Sequence, residues 1–399
     1  MVPGKVPGRK RALADLNEMY AALNHAVTTA QVPGVVALAG DRNGTLYARA
    51  LGRRGLDDAT PMSLDTVFAI FSMTKAITSV ASMQLVEQGK LTLDGPLGEL
   101  CPHLAAPQVL EGFDAAGQPR LRPARRAITL RHLLTHSAGF SYNMWNPDVG
   151  RYQQVMGMPP SRSGKLAVLD MPLVFDPGEK WEYGINTDWV GRVLEAATGQ
   201  ALPDLLAERV LRPLGMADTA FVPGPAQRAR RAGMHQRQPD ARLVAMDWPV
   251  SEAPEFFGGG GGLYSTGPDY MRFLRMLLRE GELDGARLLR PETVALMGEN
   301  HIGALKMQPM RTAIPSLSND FHPWPEMPKN WGLGFMRNTQ DVPGARRAGS
   351  LAWAGLGNLF FWLDPRSGVA GVVMTQILPF IDPAVMTMLE GFERGVYAG

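Results

Sequence analysis

Thr66-Val-Phe-Ala-Ile-Phe71-Ser72-Met-Thr-Lys75-Ala-Ile-Thr-Ser-Val80-Ala-Ser-Met-Gln-Leu85 is the stretch that decides how this chain is read. The short apolar run from Thr66 to Phe71 reads as a strand. From Ser72 to Gln88 the period turns helical, with Ile77, Val80, Ala81, Gln84 and Leu85 on one face and Gly89 as a stop. Positions i and i+3 of a helix share a face, so Ser72-Met-Thr-Lys75 brings an amine toward a hydroxyl. The helix start also offers unpaired N–H groups and a positive dipole end, both useful where negative charge develops. The same residues suit a helix N-cap followed by a solvated lysine, and so short a motif also occurs by chance. This stretch by itself leaves both readings open.

A serine nucleophile needs a base, and an ammonium is not one. A lysine serves only when burial or a cationic neighbour favours loss of its proton, and a phenol within reach can share that proton. Trp181-Glu-Tyr183-Gly-Ile-Asn-Thr-Asp188 offers Tyr183 on a turn entering a helix, although a lone tyrosine also serves as core packing. Gly349-Ser-Leu-Ala-Trp353-Ala-Gly355-Leu356-Gly357 leads into a strand. Gly355 and Gly357 there would let a ligand approach the backbone. A backbone N–H in that segment, together with that of Ser72, would make an oxyanion hole. An ordinary tight turn with Trp353 in the core is the other reading.

Further out, Asn43-Gly44 joins strand-like Val35–Ala39 to Leu46–Ala50, and Asp364–Gly368 joins Leu359–Leu363 to Val369–Thr375. Helices are predicted at 11–30 and 382–397. From about 91 to 254, helical segments at 129–136, 187–198 and 201–211 alternate with Pro-rich connections, and strand alternation is scarce. A further helix is predicted from about 267 to 280. Residues 301–330 hold five prolines and read as a long loop, which is either functional or disordered. The predicted architecture is α+β: a discontinuous α/β domain from 1–90 and 255–399, interrupted by a mainly helical domain at 91–254.

The 399 residues are 45% hydrophobic and 20% charged, which fits a chain with a sizeable core. A net charge of +2 gives no electrostatic case for nucleic acid; Arg122, Arg125, Arg126 and Arg131 form only a local basic spot. No run approaches the ~20 apolar residues of a membrane helix. With Cys101 alone, no intrachain disulfide forms. The N-terminus has basic residues but no apolar signal region, so a cytoplasmic location is expected. No G-x-S-x-G elbow, H-E-x-x-H, G-x-G-x-x-G or P-loop is found. His132 and His136 form the only i,i+4 histidine pair and lack a third ligand, so neither metal nor cofactor is expected.

Taken together, these segments resemble the family VIII carboxylesterases, serine hydrolases with the β-lactamase and penicillin-binding-protein fold. Ser72–Lys75 stands at the S-x-x-K position, Tyr183 at the family tyrosine and Trp353-Ala-Gly355 at the W-x-G motif. Ile128–Gly139, Gly258–Thr266 and Phe361–Pro365 resemble the family too, in the right order, over roughly residues 10 to 398. The resemblance implies an antiparallel sheet flanked by helices, a helical domain, and an active site between them. It implies that Ser72 attacks an ester carbonyl while Lys75 and Tyr183 relay the proton. The N–H groups of Ser72 and Leu356 would hold the oxyanion, and water would release the acid. Trp353, Gly355, Phe140, Tyr142, Trp145 and Phe257, with Met144, Phe256 and Trp324, would line the substrate pocket.

Two departures separate this chain from true β-lactamases: Ile185 stands two residues after Tyr183 where they carry Asn, and Trp353 replaces their lysine. The expected function is therefore a carboxylesterase for small esters with short acyl chains, with at most weak cephalosporin hydrolysis. The alternatives are a β-lactamase or D-alanyl peptidase, and a binding protein that kept the fold but lost catalysis. A further alternative comes from Pro107–Thr135, above all Val109–Gly117, and from Trp181–Trp189. Those stretches resemble the acyltransferase that adds the lovastatin side chain, which differs in whether water or an alcohol takes the acyl group. The partner expected is a small-molecule ester; the sequence leaves oligomeric state open.

Overall fold

A computed structural model describes residues 16–160, 163–251 and 253–398; the part of the first predicted helix at 11–15 lies outside them. Helix α1 (Leu16–Thr28) leads to strands β1 (Gly34–Asp41) and β2 (Thr45–Gly52), turned by Asp41 Oδ1 accepting the N–H groups of Asn43 and Gly44. Helix α2 (Thr74–Glu87) follows the nucleophile candidate, α3 (Asn186–Thr198) follows Tyr183, and α4 is Gly267–Leu278. Then come β3 (Lys329–Trp331), β4 (Met336–Asn338), β5 (Leu351–Gly355), β6 (Leu359–Asp364), β7 (Val369–Met374) and α5 (Pro383–Tyr397).

One seven-stranded antiparallel sheet runs β3-β4-β5-β6-β7-β1-β2. Its strands come from residues 34–52 and 329–374, so the two ends of the chain meet where Val36 pairs with Met374. Successive side chains of a strand face opposite sides. Accordingly Phe361 packs on Tyr270 of α4 (5.2 Å), and its neighbour Trp362 on Phe392 of α5 (6.1 Å). With helices on both faces, β6 and β7 are buried throughout, and this is why they read as continuous apolar runs. The fold is that of the β-lactamases and penicillin-binding proteins.

Three local readings change. The stretch 91–254 carries two hairpins, Gln108–Phe113 with Pro119–Pro123 and Met234–Arg237 with Leu243–Met246, which sequence periodicity did not reveal. Helix α2 is buried on every side from Thr74 to Leu85 rather than on one face, because it lies in the centre of the molecule. The Pro-rich 301–330 segment is packed: Met307, Met310, Phe321 and Met327 are buried, and Lys329 Nζ donates to the carbonyls of Pro323, Trp324 and Met327.

Arg122, Arg125 and Arg131 of the basic spot are ion-paired, and Arg126 donates to the Pro177 carbonyl. Arg131 holds Asp94, and Arg122 makes a two-pronged contact with Asp176 (3.0 and 2.7 Å) just ahead of the Trp181–Tyr183 turn. That guanidinium holds the Asp176 carboxyl down at about 2. A depressed carboxylate contributes stability that is full above its ordinary value near 3.8 and lost as pH falls toward 2. Arg122→Met should therefore unfold at a higher pH than wild type in acid titrations followed by circular dichroism. An unchanged acid midpoint would show that this pair contributes nothing.

Candidate active site

Three contacts fix the turn that presents Ser72. The side-chain amide of Gln376 clamps Ala69 from both sides, Oε1 accepting its N–H (3.0 Å) and Nε2 donating to its carbonyl (3.1 Å). Ile70 N–H donates to Leu263 O (3.0 Å). Phe71, immediately before the nucleophile, takes φ +46°, a conformation that costs an L side chain ~1–3 kcal/mol and has to be enforced by its surroundings.

Gly355 belongs to this device. A Cβ there would sit 2.4 Å from Ile70 O, so the glycine admits the backbone that carries Ser72 rather than, as the sequence suggested, a ligand alone. Because Ile70 O is backbone and cannot swing aside, Gly355→Ala should cost about 1–3 kcal/mol, read from the urea midpoint, and lower turnover. A variant with wild-type stability and rate would contradict this role.

Lys75 is 1% exposed, and its Nζ has three hydrogen-bond partners. They are Ser72 Oγ at 3.2 Å, Tyr142 Oη at 3.2 Å and Gly260 O at 2.7 Å. Three acceptors satisfy an ammonium completely; equally, an amine can accept from Ser72 and donate to the other two. The same three contacts therefore serve the lysine before and after it takes a proton.

The glycine run makes the third contact possible. A Cβ on Gly260 would lie 3.0 Å from both oxygens of Asp188, and one on Gly259 would lie 2.8 Å from Thr187 O. Only a bare backbone fits against α3 and still delivers the Gly260 carbonyl to Lys75. Asp188 Oδ1 accepts the Gly260 N–H (2.9 Å), and burial pushes its carboxyl up from the usual range while Lys75 opposes that shift. Sequence reasoning missed Asp188 and Gly260, although five consecutive glycines signalled a close backbone approach.

The phenol that touches Lys75 is Tyr142, not Tyr183 as the resemblance implied. Tyr183 is adjacent, with Lys75 Nζ 4.7 Å from its ring centroid, but its Oη accepts from the indole Nε1 of Trp353 (2.9 Å). Trp353 and Trp331 pack on Tyr183, and His136 lies under it (4.6 Å), so the ring rather than the hydroxyl faces the lysine. Burial drives the Tyr142 hydroxyl well above its ordinary value, with Asp188 and Tyr183 adding to the shift, so Tyr142 stays protonated and is not the resting base.

His136 Nδ1 accepts from Gly184 N–H (3.4 Å) and lies 3.0 Å from Asn186 Nδ2, while His132 Nδ1 accepts from Thr129 N–H. Both histidines thus serve local structure. Asn186 is buried in this network and does not reach the cavity, whereas Asp188 does.

Ser72 opens into a largely apolar cavity of about 360 Å3. Tyr142, Met144, Trp145, Phe256, Phe257, Trp353, Gly355 and Leu356 line it, as do Met310 and Leu317 of the Pro-rich segment. Ser72 and Leu356, the implied oxyanion donors, therefore face the same space. Phe140 and Trp324 do not line it: Phe140 is buried against Trp189 (6.1 Å), and Trp324 lies over the Arg346 guanidinium (5.2 Å).

A fold of this kind with a serine, a buried lysine and an apolar cavity defines a serine-hydrolase class. The family model described as Beta-lactamase matches residues 19–388, and the chain belongs to that family. It is 35% identical to monacolin J acid methylbutanoyltransferase of Aspergillus terreus, with 95% of each chain covered. It is 33% identical to lovastatin esterase of Penicillium rubens, covering 93% of this chain and 96% of the other. Among solved structures, a simvastatin synthase mutant from Aspergillus terreus superposes with a TM-score of 0.81 at 32% identity, over 95% and 94% of the two chains. EstCE1, a hydrolase with promiscuous acyltransferase activity, shares the fold with a TM-score of 0.76 at 21% identity over 94% and 98%.

Proposed function

We propose that the protein moves a short acyl group from an ester to an alcohol through an acyl-enzyme on Ser72, with hydrolysis as the branch in which water takes the alcohol's place. The observation that carries this reading is the Ser72 Oγ–Lys75 Nζ contact at an apolar cavity. Relatives at more than 30% identity named as a methylbutanoyltransferase and as an esterase support both branches. The transfer branch leads, where the sequence favoured hydrolysis, because more of the similar relatives are named as acyltransferases than as esterases.

In the first half, Lys75 in its amine form takes the Ser72 proton as Oγ bonds to the acyl carbon. The ester C–O bond breaks, and the leaving alcohol oxygen takes that proton from the Lys75 ammonium, with the Tyr183 O–H donating a hydrogen bond to it. In the second half, an incoming alcohol or water gives its proton to the Lys75 amine and bonds to the acyl carbon, and the departing Oγ takes that proton back from Lys75. Backbone N–H groups of Ser72 and Leu356 hold the oxyanion in both halves. A missing oxyanion donor elsewhere costs ~2.7–4 kcal/mol.

Tyr142 supports the lysine. Tyr183 Oη, which already accepts from Trp353, has its own O–H left to give to the alcohol oxygen. Tyr142→Phe should thus slow acylation by about 10–100-fold. Tyr183→Phe should spare release of p-nitrophenolate, a leaving group that needs no proton, and impair exchange with an aliphatic alcohol. Equal losses on both reactions for both variants would contradict this division.

The test of the function is the product partition from p-nitrophenyl butyrate in the presence of a bulky secondary alcohol. New ester formed at the expense of butyric acid is expected. Acid as sole product removes the transferase branch, and no turnover removes the reading.

A further inference from the structure

The shortest of the three Lys75 contacts, at 2.7 Å, is made to a carbonyl inside the glycine run Gly258–Gly262. Five consecutive glycines have no side chains with which to hold themselves, and glycine backbone is the least restricted of all. The run is therefore held from outside. Helix α2 takes its flanks: Thr78 Oγ1 donates to Gly259 O (2.8 Å), and Thr74 Oγ1 accepts the Leu263 N–H (3.2 Å). Among the described residues, only Asp188 anchors the N–H of Gly260 itself, at 2.9 Å.

Asp188 stands in the first turn of α3, where the helix dipole favours negative charge. It is also the one carboxyl residue lining the acyl cavity among the described residues. Few titratable groups face it. Lys75 comes from α2 and favours the ionised carboxyl, against burial. Tyr142 is kept protonated by burial. Behind Lys75 lie the Tyr183 ring and His136, an imidazole that burial and the Lys75 charge hold neutral. Coupling of this kind is reciprocal, so the carboxylate favours the ammonium as much as the ammonium favours the carboxylate.

We propose that Asp188 is the positioning residue of the base: through the Gly260 backbone it aims Lys75 Nζ at Ser72 Oγ, and its charge favours the ammonium that Lys75 becomes on taking a proton. Asp188 touches no reacting atom in this role. The proposal rests on the acyl-enzyme reading above and adds to it a residue beyond the serine, the lysine and the two tyrosines.

The two parts of the role separate by substitution. Asp188→Asn keeps an oxygen for the Gly260 N–H and drops the charge; Asp188→Ala drops both. The experiment measures kcat and KM on p-nitrophenyl butyrate across pH for wild type and both variants, with the fraction of protein that a fluorophosphonate finally labels. Asp188→Ala should lose about 10–100-fold in kcat with KM little altered, the cost of a misplaced base. Asp188→Asn should recover most of that loss. Without the carboxylate the amine persists to lower pH, so the acid limb of kcat/KM in Asp188→Asn should lie about half a pH unit or more below that of wild type. The labelled fraction should match wild type throughout, whereas a side chain that only supported the fold would lower it and leave the limb in place.

Asp188→Ala at the wild-type rate, Asp188→Asn no faster than Asp188→Ala, or an unmoved acid limb in Asp188→Asn overturns the proposal. Should Asp188→Ala fail to fold, the limb in Asp188→Asn decides alone. Wild type is the control on the underlying reading. If it turns the ester over while the variants give any of those results, the positioning role falls and the catalytic reading stands. If wild type neither turns the ester over nor takes the label, both fall.

Discussion

Ser72→Ala is expected to lower kcat on p-nitrophenyl butyrate by about 10⁴–10⁶-fold, the scale seen when a serine nucleophile is removed elsewhere. The size follows from what remains. Lys75 keeps Tyr142 and Gly260 as partners, the oxyanion N–H groups keep their places, and the cavity is unchanged, so binding persists without a nucleophile. Truncating one half-buried hydroxyl takes no support from the turn, which Gln376 and Leu263 hold. The thermal transition should accordingly match wild type. A folded Ser72→Ala enzyme that retained most of its turnover would remove the covalent route entirely.

Lys75→Met should come close behind, with kcat down by about 10³–10⁴-fold. Methionine matches the stem but brings neither donor nor lone pair, so Ser72 loses its base while staying in position. The stability change is harder to guess by intuition and easier by partners. Tyr142 Oη and Gly260 O each lose a hydrogen bond, which costs ~1–3 kcal/mol apiece if nothing replaces it. Against this, a nitrogen at 1% exposure no longer has to be desolvated. The two effects oppose each other, so activity should collapse with a much smaller change in the urea midpoint. Loss of folding in proportion to loss of rate would instead make Lys75 a structural cation. Labelling by a fluorophosphonate separates the cases, since a folded protein without its base labels slowly at an intact Ser72.

How much of this was legible in the sequence differs from element to element. The switch from an apolar run to helical period at Ser72 placed the serine and the lysine on one helix turn, and the structure has them 3.2 Å apart. Asn43-Gly44 and the Asp364–Gly368 turn announced two hairpins of the sheet, because their chemistry is local. The short strands Lys329–Trp331 and Met336–Asn338 carry no alternation and exist through their neighbours.

Which phenol hydrogen-bonds the lysine was hidden for a similar reason. Tyr142 and Tyr183 both reach the lysine's surroundings, and what turns the Tyr183 hydroxyl away is an indole 170 positions along the chain. Gly355 was visible as a site of close approach, but which backbone approaches is a tertiary fact. Asp188 escaped notice because an acidic residue in the first turn of a helix is ordinary, and its burial against Gly260 is not visible in the sequence.

One measurement tests the centre of the account: the intact mass of the enzyme quenched with acid during steady turnover of p-nitrophenyl butyrate, followed by peptide mapping. The predicted result is a gain equal to one butyryl group, located on the peptide containing Ser72 and discharged when an alcohol is added before the quench. A protein that turns the ester over yet never carries that mass, or carries it on another residue, would contradict the account.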